Sequence, residues 1–346
     1  MCFIVSIVKA KCTNCETILQ VDVALDAAIC EHCGMAFIVK NAINKYDNTV
    51  ISDISTSIPI PNANDFIIRA GTLEKYMGAS VDVVIPRNVN IIGYGAFEKC
   101  VGLRTVTIPE TVTVIGDRAF LGCSAITHII IPIGITKIGE IAFGYCSRLT
   151  EIIIPDSVIE LGKGAFEFCE NLKEVLLSDN IKTIERDTFY RCKSLIKVKL
   201  PAGLIRMKGS YFHDRDGPND SYNVAFTDCE ALQSIYIPNG VKEIGDCTFY
   251  KCSSLTTVNI PDSVKEIGHH VFGGTNLRNV DVPESIIVRY SNERISSQPF
   301  SGTAYEHRFN KMISAYWQRT GRCVHCGCHE KNWLGKCKSC GKKYDI

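Results

Sequence analysis

The hydrophobic and polar positions of this chain repeat every 23 residues over most of its length. Phenylalanine marks the period most clearly, with gaps of 23, 23, 23, 23, 37, 23 and 23 residues between Phe97, Phe120, Phe143, Phe166, Phe189, Phe226, Phe249 and Phe272. Each unit follows P-x-x-V-x-x-I-G-x-x-A-F-x-x-C-x-x-L-x-x-V-x-I. Such a period predicts a solenoid, because one unit buries its apolar side only by stacking on its neighbours.

Each unit contains two short stretches in which apolar and polar residues alternate, such as 112–115 and 126–131. Alternation over so few residues predicts short strands, which stack at the ~4.8 Å spacing of neighbouring strands. Gly116 follows the first stretch, and we expect it to take a positive φ. The fold class is therefore mainly β, a curved solenoid of eight 23-residue units with little helix inside them.

One cysteine recurs in the same place of successive units, at Cys100, Cys123, Cys146, Cys169, Cys192, Cys229 and Cys252, and the eighth unit has Thr275 there. The column is either a metal or redox ladder or a small residue that fills an inward slot. No second ligand type repeats beside it, and stacked parallel side chains rarely meet disulfide geometry. We interpret these cysteines as packing residues with free thiols.

The motif IGDRAFLGCSAITHIIIP and its seven relatives resemble the BspA-like (Treponema pallidum-type) bacterial leucine-rich repeat family. The segment 65–86 is similar to the opening hairpin and cap of that family. The resemblance covers roughly residues 65–300. It implies a leucine-rich repeat solenoid that binds proteins, and many members of the family are secreted adhesins.

The composition describes a globular protein, with 46% hydrophobic and 22% charged residues and a net charge of +1. This balance argues against a whole-protein affinity for nucleic acid or anionic membrane. No run approaches the ~20 apolar residues of a membrane span, and the start MCFIVSIVKAKC lacks the features of a signal peptide. We expect a cytoplasmic protein without a membrane partner, in which thiols stay reduced and paired cysteine motifs favour metal.

The remaining paired cysteines form two sets of CxxC motifs, Cys12–Cys15 with Cys30–Cys33 and Cys323–Cys326 with Cys337–Cys340. Two such motifs supply the four thiolates of a tetrahedral zinc site. The sequence therefore predicts two structural zinc ions, one in a small zinc ribbon at each end of the chain. The N-terminal module also looks like the zinc ribbons that precede repeat domains in some intracellular bacterial proteins.

These signals predict five segments: an N-terminal zinc ribbon (1–43), a flexible linker (44–64), the solenoid with its cap (65–302), a capping helix (303–320) and a C-terminal zinc ribbon (321–346). Thr303 and Glu306 have the spacing of a capping box. An insertion at 208–222 explains the 37-residue gap. Its acidic residues lack the spacing of a calcium loop, and we expect a solvated loop that contacts a partner.

No catalytic motif occurs in the chain, so we expect no enzyme activity. The strand L-x-x-V-x-I should instead expose the residues on either side of its valine. These positions give the predicted partner-binding residues Ile130, Ile153, Leu176, Glu151, Glu174, Lys197, Lys199 and Tyr236. Contiguous exposed apolar surface favours an interaction site, although β-propensity alone also places Ile and Leu in strands.

Two functions follow from these patterns. The first is a non-catalytic scaffold that binds an unidentified protein on the solenoid face. The alternative is nucleic-acid or ribosome association through the C-terminal ribbon, because residues 303–346 carry nine Lys/Arg against three Asp/Glu. In that case Trp333 would stack on a base.

Overall fold

The structure, a computed structural model, describes residues 63–209, 224–292 and 298–320, the isolated residues 322, 328 and 342, and four N-terminal strands by their backbone. Those four strands are β1 (Ile7–Lys11), β2 (Ile18–Asp22), β3 (Ala27–Ile29) and β4 (Ala36–Ile38). β1 pairs antiparallel with β2, and β3 pairs antiparallel with β4. The predicted linker at 44–64 lies outside the described residues except at its last two positions.

The strands of the repeat region are, in chain order, β5 (Phe66–Arg69), β6 (Thr72–Tyr76), β7 (Asp82–Val84), β8 (Ile91–Ile92), β9 (Thr105–Thr107), β10 (Val114–Ile115), β11 (Lys137–Ile138), β12 (Glu151–Ile153), β13 (Glu160–Leu161), β14 (Glu174–Leu176), β15 (Thr183–Ile184), β16 (Lys197–Lys199), β17 (Arg206–Met207), β18 (Ser234–Tyr236), β19 (Glu243–Ile244), β20 (Thr257–Asn259) and β21 (Glu266–Ile267). A short 3-10 helix, Ala63–Asp65, precedes β5.

The repeat strands stack in parallel, so the solenoid predicted from the period is confirmed. The three-residue strands form one series, with β7 next to β9, β12–β14–β16 in order, and β18 next to β20. The two-residue strands form a second series, which the cap hairpin β5–β6 opens by pairing through β6 with β8. Within the regular units, partners in register are 23 residues apart along the chain, as in Ile115 opposite Ile138, and the longer unit places Met207 opposite Ile244, 37 residues apart.

The core contains a column of phenylalanine rings that runs along the solenoid, packed among buried Ile, Leu, Val and Cys side chains. Consecutive rings from Phe97 to Phe300 lie 5.0–5.7 Å apart between centroids and within 19° of parallel. Tyr76 of the cap extends this stack at the N-terminal end, 5.3 Å from Phe97. The ninth ring, Phe300, was not predicted, because it follows Phe272 by 28 residues instead of 23.

Gly116 does not have the positive φ that we predicted, since it is absent from the left-handed positions of the backbone. It is required for a different reason. A Cβ atom at Gly116 would lie 2.7 Å from the carbonyl oxygen of Ile92 in the preceding rung. The position therefore needs glycine because two backbones approach closely, and not because of its dihedral angles.

The left-handed positions lie instead two residues before seven of the core phenylalanines and two residues after all nine. The residue two places after the ring has a φ of 57–61° in six rungs, at Lys99, Tyr145, Phe168, Arg191, Asp228 and Lys251, and glycine takes the position in three others, at Gly122, Gly274 and Gly302. An L-residue with a side chain costs about 1–2 kcal/mol in this conformation. The stacked rungs impose it, because the N–H of Tyr145 donates to the carbonyl oxygen of Glu167 in the next rung.

Two helices close the C-terminal end, where only one was predicted. Helix α1 (Glu284–Asn292) follows Pro283 and inserts before the ninth ring. It was missed because its nine residues interrupt an otherwise regular array. Helix α2 (Glu306–Arg319) is the predicted capping helix, and its Phe309 and Ile313 are buried. No helix among the described residues is long and apolar enough to cross a membrane.

The capping box predicted at Thr303 and Glu306 is wrong. Helix α2 begins at Glu306, and no side chain caps its first turn. The Thr303 hydroxyl donates instead to the carbonyl oxygen of Phe300, 2.7 Å away. The Glu306 carboxylate accepts the N–H of Gly302 at 2.9 Å. The docking of Tyr305, whose hydroxyl donates to the carbonyl oxygen of Val280, moves the helix start beyond the threonine.

Candidate interaction surface

The repeated cysteines are free thiols in the core, as predicted, with six buried and Cys100 partly buried. Each buried thiol of the column also has a hydrogen bond that the sequence did not reveal. Its Sγ donates to the carbonyl oxygen of the core phenylalanine in the preceding rung, for example Cys146 to Phe120 at 3.4 Å and Cys169 to Phe143 at 3.2 Å. Burial raises the pKa of the Cys146 and Cys169 thiols, so these two remain protonated and inert toward metal and disulfide chemistry.

The strands β12, β14 and β16 bring most of the predicted partner-binding residues together in register. Glu151, Glu174 and Lys197 form one outward row, and Ile153, Leu176 and Lys199 form the next. We call these six side chains, with Tyr236, the sheet face. Valine or isoleucine between the two rows points inward and is buried, as at Val175.

The aliphatic residues of the sheet face are half-buried, whereas its charged residues are exposed. Ile130 is also half-buried, although residues 127–131 form no regular strand. Its rung lies beside that of Ile153, because the ring of His128 is 3.7 Å from the carboxylate of Glu151.

The charges on the sheet face divide along the solenoid axis. Glu151 and Glu174 precede Lys197 and Lys199, and Glu174 lies 3.9 Å from Lys197. The side chains of Glu174 and Lys197 are more than half exposed. Such pairs add little to stability. They give the surface an acidic end and a basic end, which would orient a partner rather than hold it.

An aspartate beneath the sheet face was not predicted as part of it. The carboxylate of Asp179 accepts the N–H of Ala202 at 2.9 Å and lies 3.4 Å from the ammonium of Lys199. Asp156, one rung earlier, accepts the N–H of Asp179 in the same way. The signal in the sequence was the 23-residue spacing of these two aspartates, which connect successive turns. Asp179 is the one that also pairs with Lys199.

Tyr236 lies beyond the basic end and is 66% exposed, among the largest exposures of any apolar side chain in the described residues. It borders a shallow depression of about 340 Å³ with Lys199, Leu200 and Pro238. The strand that carries Tyr236 does not pair with β16, although β17 and β19 pair across the same 37-residue unit. The depression lies at this break between two sheets.

The predicted zinc ligands Cys12, Cys15, Cys30, Cys33, Cys323, Cys326, Cys337 and Cys340 lie outside the described residues. Within the described part of the chain, no cluster of three or more His, Cys, Asp or Glu is arranged to hold a metal. The first CxxC motif lies in the connection between the paired strands β1 and β2, and the second in that between β3 and β4. The structure describes the insertion only up to Gly209, so the predicted contact of this loop with a partner also lies outside the described residues.

A comparison of this sequence with known protein families supports the leucine-rich repeat fold. Residues 75–196 and 219–304, more than half of the chain, match the BspA type leucine rich repeat region in six copies. The comparison with curated proteins found no match.

Several solved structures resemble the chain. The crystal structure of a leucine rich repeat protein from T. pallidum is 28% identical, covers 57% of this chain and 90% of that one, and has a TM-score of 0.49. A leucine rich cell surface protein from Faecalibacterium prausnitzii is 26% identical, with coverage of 64% and 75% and a TM-score of 0.42. From the family match and the 23-residue rungs, this chain belongs to the BspA-type leucine-rich repeat family.

Proposed function

We propose that this protein is a non-catalytic scaffold that binds another protein on the sheet face. The observation that carries the proposal is the register of Ile153 with Leu176, an aliphatic pair between an acidic and a basic end. A partly exposed aliphatic pair contributes little to the core. It gains free energy when a partner covers it, at roughly 25 cal/mol per Å² of apolar surface.

The test is a matched pair of charge substitutions. Ile153→Asp places a carboxylate in the centre of the sheet face, whereas Ile133→Asp places the same group at a residue that is 76% exposed elsewhere on the solenoid. We expect Ile153→Asp to abolish affinity capture of the partner from native extract and Ile133→Asp to leave it unchanged. Thermal melting of both variants checks that each is folded. Equal capture by the two variants would contradict the proposal.

We further propose that the two sets of CxxC motifs each hold one structural zinc ion. Four thiolates saturate the tetrahedron, so such a site supplies stability and no open position for chemistry. For the N-terminal set this is supported by the pairing of β1 with β2 and of β3 with β4, since each CxxC motif falls in the short connection of an antiparallel strand pair.

Metal analysis of the reduced protein tests the zinc proposal. We expect close to two zinc ions per chain, and one after Cys12→Ser with Cys15→Ser. Cys146→Ala is the control, because this thiol is buried in the core and its loss should release no zinc.

The same preparations, titrated with single-stranded RNA, test the alternative function. A salt-dependent shift that disappears on deletion of 321–346 would favour nucleic-acid binding.

A further inference from the structure

A strip of aromatic side chains lies along a different side of the solenoid, on the turns around the core phenylalanines. Tyr145 stacks on Phe168 with 4.3 Å between ring centroids, and Phe168 meets Tyr190 edge to face at 5.2 Å. The guanidinium of Arg191 lies over Phe168 and Tyr190 at 5.4 and 5.5 Å. Tyr250 occupies the position of Tyr190 two rungs further on. We call this strip the turn edge.

The backbone conformation of the turn edge lowers the stability of the fold. Tyr145, Phe168 and Arg191 all have left-handed backbone conformations, with φ of 58°, 57° and 58°. Glycine occupies the equivalent place at Gly122, where the conformation is free of strain. Tyr145 is nevertheless 46% exposed, so its burial repays little of that cost. Lys99, Asp228 and Lys251 share this conformation, so the strain belongs to the whole column. Tyr145 and Phe168 differ from them in presenting partly exposed aromatic surface, which favours a role in binding.

The backbone of this edge offers few donors to a ligand. The N–H groups of Tyr145, Phe168 and Arg191 donate to carbonyl oxygens of the following rungs, at 2.8, 2.8 and 2.9 Å. A peptide therefore cannot add here as a further β-strand. It must be recognised by side chains, as aromatic grooves recognise the polyproline II helix, which needs no backbone partner for its own structure.

The tyrosines also have the spacing that this helix requires. Tyr145, Tyr190 and Tyr250 belong to the rungs of Phe143, Phe189 and Phe249, and each is two rungs from the next. Two rungs span about 9.6 Å at the strand spacing. One turn of polyproline II, three residues at ~3.1 Å, spans about 9.3 Å. Tyr145 follows its core ring by two residues, whereas Tyr190 and Tyr250 follow theirs by one. Phe168 contacts both Tyr145 and Tyr190 and so brings these two tyrosines onto one line. A peptide parallel to the solenoid axis would meet them about one turn apart.

The charged residues of the turn edge indicate which side chain a bound peptide would carry. Arg191 pairs with Asp228 at 3.4 Å, and Lys163 pairs with Asp187 at 3.5 Å. Glu167 lies between the rungs of Tyr145 and Tyr190 and has no ion pair with any described residue. We propose that the turn edge binds a proline-rich peptide in the polyproline II conformation, with a basic residue of the peptide against Glu167.

Fluorescence anisotropy with the full chain tests this. The probe is a labelled peptide of about nine prolines, three turns of the helix, with one arginine, and the reference is a Gly/Ser peptide of equal length and charge. We expect the proline peptide to bind at least about tenfold more tightly than the reference. Equal affinity for the two peptides, or preference for an oligouridylate, would overturn the proposal.

The decisive variant is Tyr145→Gly, which removes the ring and suits the left-handed backbone, so folding is not at risk. We expect it to weaken binding of the proline peptide at least about tenfold. Tyr236→Ala is the matched control, because Tyr236 is 66% exposed but lies on the sheet face. Equal losses in the two variants would contradict a site at the turn edge.

Two further variants locate the bound peptide on the solenoid. Ile153→Asp should leave peptide binding intact, which distinguishes the turn edge from the sheet face. At pH 8, where the Glu167 carboxylate is charged, Glu167→Gln should weaken the arginine-bearing peptide but leave an all-proline peptide unaffected. If Glu167→Gln weakens both peptides equally, the basic residue does not lie against Glu167.

Discussion

From Phe97 to Phe272 the interior of the solenoid keeps a phenylalanine at one position in every rung, whereas the sheet face changes from Glu174 to Lys197 in a single step. An interior ring touches its own copies about 5 Å away on both sides. A change there disturbs two neighbours at once. An outward side chain meets solvent, so it is free to vary with what it binds. The comparison indicates that the residues repeated in every rung stabilise the fold, whereas the residues that vary from rung to rung are available for recognition.

The largest expected effect is on the interior. Phe143→Ala removes a buried ring that stacks on Phe120 and Phe166, and we expect the free energy of unfolding to fall by about 3–5 kcal/mol. Ile153→Asp on the sheet face should cost far less. Urea denaturation of both variants measures the contrast. A larger loss for Ile153→Asp would show that the sheet face belongs to the core.

A smaller interior effect concerns the thiol column. Cys146→Ala leaves a small cavity and removes the donor to the carbonyl oxygen of Phe120. We expect a loss of about 1–2 kcal/mol, below that of Phe143→Ala. Urea denaturation under reducing conditions measures it. A cost above that of the phenylalanine change would contradict a packing role for these cysteines.

A third effect depends on pH and lies at the boundary between interior and surface. Burial, and then the negative charge of Asp187, raise the pKa of Glu167 from its ordinary 4.5 to about 7. Between these values the folded state holds a proton that the unfolded chain has lost, so stability falls as the pH rises through this window. The carboxyl group is partly exposed, and screening by solvent reduces the loss to about 1 kcal/mol.

Glu167→Gln removes this titration. We expect the variant to be more stable than the wild type at pH 8 and close to it at pH 5, in urea denaturation at both values. A difference that is the same at the two pH values would show that the gain does not come from the proton.

The smallest effect tests whether backbone strain at outward positions is independent of the side chain. Lys99 and Gly122 occupy the same left-handed position in adjacent rungs, with φ of 61° and 74°. We expect Lys99→Gly to stabilise the protein by about 0.5–1 kcal/mol and Gly122→Ala to destabilise it by about 1 kcal/mol. Thermal melting compares the two. A loss in both variants would mean that the Lys99 side chain matters more than its backbone.

The sequence by itself determined the period, the phenylalanine and cysteine columns and the parallel register of Ile153 with Leu176. These follow from identical residues at identical spacing, since each rung can bury its apolar side only against the same residues of the next.

Only the tertiary structure decided where the backbone is left-handed, why Gly116 must be glycine, and how the end of the array is closed. Nothing in the side chains of Tyr145 and Phe168 favours a positive φ, and stacking imposes it through hydrogen bonds between rungs. Helix α1 and Phe300 escaped prediction for a related reason, because the period stops where the solenoid needs a cap. The sequence repeats where neighbours are equivalent, and at the ends, where they are not, packing between elements that are distant along the chain determines the structure.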